Sequence, residues 1–391
     1  MGVSRRAWLK SLLLGGAGLA LGGGGLTRTA HAEPSAASVG PLITRVMRPF
    51  DAETPVHEFT SWLTPNERLF VRSHFGPPVP ESVDPAHWRL TVGGRVAKQL
   101  TLRLQDLQKE FEAVSLTAVL QCSGNGRAFH RPKVPGVQWE RGAVGNVQWT
   151  GVRLRDLLHQ AGMKDKALHV QFLGADRPAL ATIPLFVRSI PIEKALHPDT
   201  LLAYEMNGRP LPLLHGAPLR VVTPAWMAES CVKWLTEITV QNTEAEGYFM
   251  QTAYRMPVTT VQQSSGLPGT TMAPVELMPV KSLIAAPREG ATLQRGPVTI
   301  QGVAWAGDVV VEKLEVSVDD GKTWELARLV GEEQRYAWRQ WQHVWTPKAP
   351  GPTAIVCRAV DARGEKQPAV TAWNPSGFMW NGWDRVMVTV A

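Results

Sequence analysis

The chain has 391 residues, 44% of them hydrophobic and 19% charged, with 41 Lys+Arg against 34 Asp+Glu and a formal charge of +7. Four of those bases, Arg5, Arg6, Lys10 and Arg28, lie in the first 32 positions beside no acid, so the remaining 359 residues carry only +3; with no Lys/Arg run, this argues against a nucleic-acid partner. Three cysteines without a C-x-x-C, C-x-x-C-H or H-E-x-x-H pattern set aside the usual zinc and iron-sulfur sites and an attached c-type haem.

The N-terminus reads as an export signal. Ser4-Arg5-Arg6-Ala7-Trp8-Leu9-Lys10 is a twin-arginine motif, an uncharged Leu/Gly/Ala stretch runs from Ser11 to Leu26, and Ala30-His31-Ala32 offers a cleavage site. The stretch is short and Gly-rich for spanning a bilayer, so residues 1–32 are expected to be removed, with no stable membrane insertion; an uncleaved anchor is the weaker alternative. That route carries folded proteins, which suits a cofactor inserted before export to the periplasm.

Residues 33–60 are rich in Pro, Ser and Ala and predict an extended arm. From 61 to 255 short strands and short helices mix. Leu154, Leu157, Leu158 and Ala161 share a helical face that Gly162 ends, and 168–173, 219–222 and 232–240 read as strands. Without regular βαβ alternation, an α+β domain is expected. Residues 256–280 carry prolines and a Ser-Ser-Gly and read as a linker. Beyond them, 281–391 is all-β in texture: Leu314, Val316 and Val318 alternate with polar residues before Asp320-Gly321, and strands at 298–304 and 353–360 complete an expected immunoglobulin-like sandwich.

Cys122, in L-Q-C-S-G-N-G-R, is the candidate metal ligand. The thiolate is the binding form, Arg127 nearby favours it, and Gly124 and Gly126 allow close approach of a bulky group. A lone Cys is more often a buried small hydrophobe, and Cys231 and Cys357, in apolar runs, read that way. Arg72 and His74, two apart in F-V-R-S-H, share one face of an extended segment; with Arg127 and Arg339 they could make an anion pocket, although each arginine alone could equally be an ion-pair partner.

The ordered segments L-F-V-R-S-H, L-Q-C-S-G-N-G-R, W-T-G-V-R-L-R-D-L-L, L-L-A-Y-E-M-N-G, L-P-L-L-H-G-A-P-L-R-V-V and V-K-W-L closely resemble the molybdenum domain of the sulfite oxidase family. V-D-D-G-K-T-W, Y-A-W-R-Q-W and I-V-C-R-A-V-D resemble that family's dimerisation domain, so the likeness covers roughly residues 60 to 390. It implies an α+β molybdopterin-binding domain followed by the sandwich, a molybdenum-molybdopterin cofactor, and Cys122 as the protein's thiolate on the metal. It implies Arg72, Arg127, Trp139, Tyr254 and Arg339 as the substrate and active-site set. Cofactor contacts are implied at Phe70, Val71, Arg72, Ser73, His74, Asp176, His215, Arg220, Val232 and Lys233. Tyr254 and His215 also have plain readings, a satisfied buried tyrosine and a turn-capping histidine.

The implied reaction is oxidation of sulfite to sulfate by oxygen-atom transfer, with electrons leaving to an external acceptor, a cytochrome c, and a homodimer through the sandwich. Two departures from the family stand out: P-A-W-M-A-E-S (224–230) replaces a P-G-x-x-G turn, and the segment between Arg127 and Trp139 is shorter than in the animal enzymes. No haem b5-like module is seen beside the molybdenum domain, which points to a bacterial type. The rivals are a sulfane dehydrogenase component of a thiosulfate-oxidising complex and, outside enzymes, a cofactor-free β-sandwich binding protein. Nitrate reduction and methionine-sulfoxide reduction are less favoured.

Overall fold

The computed structural model describes residues 42–258 and 271–391. The expected signal segment and the first part of the arm therefore lie outside the described residues, as does the middle of the linker.

The N-terminal part is built mostly from strands. One sheet sets Ala113–Gln121, Val144–Arg153, Leu201–Met206 and Arg209–Pro210 side by side, with Arg220–Val222 also on Leu201–Met206. The other runs Leu100–Arg103, Arg89–Gly94, Leu235–Gln241, His169–Gly174 and Val187–Pro191, with one parallel pairing between Arg89–Gly94 and Leu235–Gln241. The α+β expectation is met with little α: the α-helices are Leu104–Glu110, Leu154–Ala161 and Ile192–Ala195. Leu154–Ala161 buries Leu154, Leu157, Leu158 and Ala161, and Gly162 ends it with φ 67, a conformation that costs glycine little.

The expected strand over 232–240 starts late, at Leu235. Trp234 takes a left-handed φ of 51 and leaves Val232 and Lys233 as a turn that faces the cavity described below. Pattern alone does not show this, because V-K-W-L alternates as a strand would.

The expected arm is not a bare extension where it is described. Ile43–Val46 pairs with Asp51–Glu53, and Ala52 exchanges backbone hydrogen bonds with Val71. The described flanks of the expected linker are likewise packed: Arg255–Pro257 pairs with Met272–Pro274, and Val275 and Met278 are buried.

The C-terminal part is two facing sheets. Lys281–Ala286, Val298–Trp305, Arg339–Trp345 and Arg328–Val330 form one; Thr292–Leu293, Asp384–Val390, Gly351–Asp361, Val311–Ser317 and Glu325–Leu326 form the other. Ile300, Trp341, Leu314, Cys357 and Val386 meet between them, the alternate inward residues a sandwich requires. Asp320 and Gly321 take φ of 61 and 84, as the hairpin reading of this dipeptide predicts.

A third apolar cluster joins the two parts, holding Phe59, Val119, Met227 and Tyr254 against Val303, Trp305, Trp338 and Phe378. Trp305 donates to the buried Gln121 side chain at 2.8 Å, and Trp338 to the carbonyl of Trp62 at 2.9 Å. The sandwich is thus fastened to the strand that leads directly into Cys122.

Candidate active site

Ala113–Gln121 ends at Cys122, whose amide bonds the carbonyl of Ala143 at 3.0 Å, and the chain then turns through Ser123-Gly124-Asn125-Gly126. Gly126 has φ +98, and a Cβ there would sit 2.4 Å from the Trp380 ring, so only glycine permits this approach. The turn delivers Cys122 to the wall of a cleft.

Segments distant in sequence converge on this cleft. Of the residues expected to bind cofactor or substrate, it is lined by Phe70, Arg72, Ser73, His74, Cys122, Asp176, His215, Arg220, Val232, Lys233 and Tyr254. Four expected residues do not line it. Val71 is buried in its bridge to Ala52, and Trp139 is fully buried behind the lining, edge-on to Phe70 at 6.4 Å. Arg127 stands behind Cys122, donating to the carbonyl of Val137 at 3.0 Å.

Arg339 departs furthest from expectation. It begins the strand Arg339–Trp345 and pairs with Glu333 at 2.9 Å, outside the cleft lining. Arg339 shares the face of Trp341, two residues on and fully buried in the sandwich core, but as the first residue of its strand it lies at the end of that face, where Glu333 reaches it.

At one end the cleft is basic and tightly tied. Lys233 donates from Nζ to the carbonyls of Arg72 at 3.0 Å and Leu214 at 2.9 Å, above the Trp234 ring. Burial, with Arg220 adding to it, brings its pKa down to about 7. Arg220 donates to the carbonyls of His215 and Cys231 and lies over Trp149. Burial holds His215 at about 3, so it is neutral, and its Nε2 meets the carbonyl of the distant Asn66 at 3.1 Å, so it does not cap its own turn. Asp176 is raised to about 6 by burial, against the pull of Lys233.

At the other end Arg72 is paired with Asp51 at 3.1 Å, a partner from the expected arm that no motif announced. Arg72 Nη2 approaches His74 Nδ1 at 3.1 Å, and His74 Nε2 approaches the Tyr254 hydroxyl at 2.8 Å. Burial keeps His74 neutral, near pKa 2, and pushes Tyr254 up to about 12. Burial also raises the Cys122 thiol, while Arg72, Arg127 and the Gly124 amide pull the other way. Arg127 alone does not make this an ionised cysteine, and a bound cation would complete the shift.

Cys231 also lines the cleft, at the end of the turn Ala228–Ser230. Its sulfur is taken up by Thr223, at 3.4 Å from the amide and 3.3 Å from the hydroxyl. The P-A-W-M-A-E-S segment contributes Glu229, buried in the lining, with Oε1 unpartnered and a pKa raised by burial to about 7. Sequence reasoning missed Glu229, Asp51 and the second-domain loop 374–380. That loop places Phe378 parallel to Tyr254 at 5.6 Å and bonds the Met379 amide to the carbonyl of Ser123.

Among the described residues, no group of three or more His, Cys, Asp or Glu is placed to hold a metal. A metal here would therefore take one protein thiolate and its remaining ligands from a partner molecule. One soft ligand beside Arg72, Arg220, Lys233 and two glycine turns fits an anionic pterin dithiolene carrying molybdenum.

Comparison with known proteins agrees. Residues 76–249 match the oxidoreductase molybdopterin binding domain and 273–391 the Mo-co oxidoreductase dimerisation domain. The chain is 40% identical over 88% of its length to the mitochondrial sulfite oxidase of Homo sapiens, spanning about 65% of that protein. It is 37% identical to the sulfite oxidase of Gallus gallus, over 86% of this chain and 76% of the relative, and 31% identical to that of Arabidopsis thaliana, over 89% and 93%. Among solved structures, the sulfane dehydrogenase SoxCD from Paracoccus pantotrophus superposes with a TM-score of 0.74 at 26% identity, over 94% of this chain and 93% of the other.

Proposed function

The chain belongs to the sulfite oxidase family of molybdenum oxidoreductases, and from that premise we propose that it oxidises sulfite to sulfate and hands the electrons to an external acceptor, a cytochrome c. The reading rests most on one observation: Cys122, Arg72 and Tyr254 line the same cleft as Lys233, Arg220 and His215.

When bound, the molybdenum cofactor supplies the oxygen atom and takes up the two electrons. Cys122 is the thiolate that holds it. Arg220 and Lys233 are the cations for the pterin's phosphate and polar edge, with Phe70, Ser73, His74, Asp176, His215 and Val232 around it. Arg72, in the lining, holds the anionic substrate, and its paired N–H groups answer the charge that develops on the substrate's oxygens, with Arg127 adding positive charge and its remaining N–H donors from behind Cys122. Tyr254, protonated at neutral pH, donates a hydrogen bond from the same side. Trp139 supports this end from behind Phe70, and Arg339 has no part in it.

We extend the proposal to the chain's setting: a twin-arginine signal over residues 1–32, a periplasmic location, and a homodimer through an immunoglobulin-like sandwich. The likeness to a sulfane dehydrogenase favours one second reading, a protein-bound sulfane substrate.

Steady-state sulfite oxidation by molybdenum-quantified protein, compared with ferricyanide, cytochrome c and oxygen, tests the main reading. Turnover with the first two is expected. Fully loaded protein that leaves sulfite untouched but oxidises a sulfane-bearing carrier protein would transfer the assignment to the second reading.

A further inference from the structure

We infer that Phe378, from the second-domain loop, is the positioning residue for the Arg127 guanidinium and thereby helps set which anions the cleft retains. The inference rests on the reading of Arg127 as a substrate anchor.

Arg127 opens the short turn Arg127–Phe129, and its guanidinium lies in a slot. A Cβ on Gly124 would stand 2.8 Å from Nη1, one on Gly136 2.9 Å from Nη1, and one on Gly377 3.0 Å from Cγ. Three positions from three segments must therefore lack a side chain for this arginine to lie where it does. Phe378 closes the slot, with its ring centroid 5.0 Å from Cζ.

The same ring is parallel to Tyr254, so a single side chain touches both the arginine and the hydroxyl-bearing residue. The ring is itself held. Asn374 donates to the carbonyl of Phe378 at 2.9 Å and accepts its amide at 3.2 Å, and the next amide, of Met379, bonds Ser123 beside Cys122.

Arg127 carries five N–H donors. One meets the carbonyl of Val137 and another that of Ser376 at 3.4 Å, while Nε is buried without a partner. The hydrogen bonds hold Nη1 and Nη2 at the edge of the guanidinium, and the aromatic face supports its plane. A guanidinium that can turn in its slot loses the alignment of paired donors on an oxyanion, which weakens anion binding and leaves the cofactor contacts at the Lys233 end alone.

The test compares Phe378→Leu, which keeps an apolar side chain without the π face, with Phe378→Tyr, which keeps the face, both in the molybdenum-loaded full chain. Sulfate affinity is read by calorimetry and sulfite kinetics in steady state. F378L is expected to raise the sulfate Kd and the sulfite KM about tenfold with kcat changed less than about twofold, and F378Y to restore both. F378L that binds sulfate like the parent, or F378Y as weak as F378L, overturns the inference.

Should F378L fail to fold, Gly124→Ala crowds the same guanidinium at Nη1, and an unchanged sulfate Kd there overturns it equally. A parent that binds sulfate without oxidising sulfite refutes the substrate reading, and Phe378 then stands or falls on sulfate affinity. A parent that binds no sulfate ends the inference.

Discussion

At the Lys233 end of the cleft, Lys233 and Arg220 are tied to backbone carbonyls of the first domain, at 2.9 to 3.1 Å. At the Cys122 end, Arg127 leans on one carbonyl from its own domain and on a carbonyl and an aromatic ring from the second. The first arrangement is complete within one domain and holds its basic groups in fixed positions. The second needs two domains in register and leaves donors unspent. The contrast suits the roles proposed for the two ends, since a resident cofactor is held once and a substrate is exchanged every turnover.

Breaking the comparison at its base should have the largest effect. Cys122→Ser is expected to reduce sulfite turnover to background with the thermal midpoint little changed, whereas Cys231→Ser, whose sulfur is already engaged by Thr223, should stay active. Measurable turnover in loaded C122S would remove it as the metal's ligand.

Next, Arg127→Met should cost about 2 to 4 kcal/mol in kcat/KM with molybdenum content preserved, as for the loss of an oxyanion donor. Lys233→Met should do the reverse, weakening cofactor retention by about 1.5 to 3 kcal/mol, the scale of a hydrogen bond to a charged group, while the kinetics per bound molybdenum stay near the parent's. Equal loss of molybdenum in both variants would erase the distinction between the ends.

Acid should act on both ends together. His215 and His130 are held at about 3 and about 4, in each case by burial first and by nearby cations second. Unfolded, each binds a proton near 6.5. Their neutral burial is therefore fully tolerated above that pH, and stability is lost as pH falls from about 6.5 toward their folded values. A thermal midpoint that drops between pH 7 and pH 4.5, and drops less in His130→Asn, is the expected result; a flat profile contradicts it.

The smallest effect is expected at Arg339. Its pairing with Glu333 at the rim is worth about 0 to 1 kcal/mol, and Arg339→Gln should leave sulfite KM within about threefold of the parent. A large rise in KM would return this residue to the site.

Much of the site was legible because its parts are local words. F-V-R-S-H, Q-C-S-G-N-G-R and V-K-W-L each put their key side chains at one place on a short turn or extended run, and the cleft gathers them. Helix 154–161 was readable for the same reason, its face and its terminating glycine being neighbours in sequence. Arg339 misled because Y-A-W-R-Q-W carries the right residue type at the very start of a strand, where a partner brought by the fold, Glu333, takes up its charge. Phe378, Glu229 and Asp51 were silent because a phenylalanine in a loop, an acid in a turn and an acid in a Pro-rich arm carry no period and no motif.

The amino-acid order by itself determined the two-part architecture, the molybdenum-family membership and the candidate thiolate, since each depends on residues close together in the chain. Only the tertiary structure decided which cations face the cleft and which are spent elsewhere. It also decided that one cleft cysteine is engaged by a threonine, and that the second domain reaches back to clasp the first. These are contacts between residues as far as 276 positions apart, chosen by packing and desolvation over the whole fold, and no local pattern encodes them.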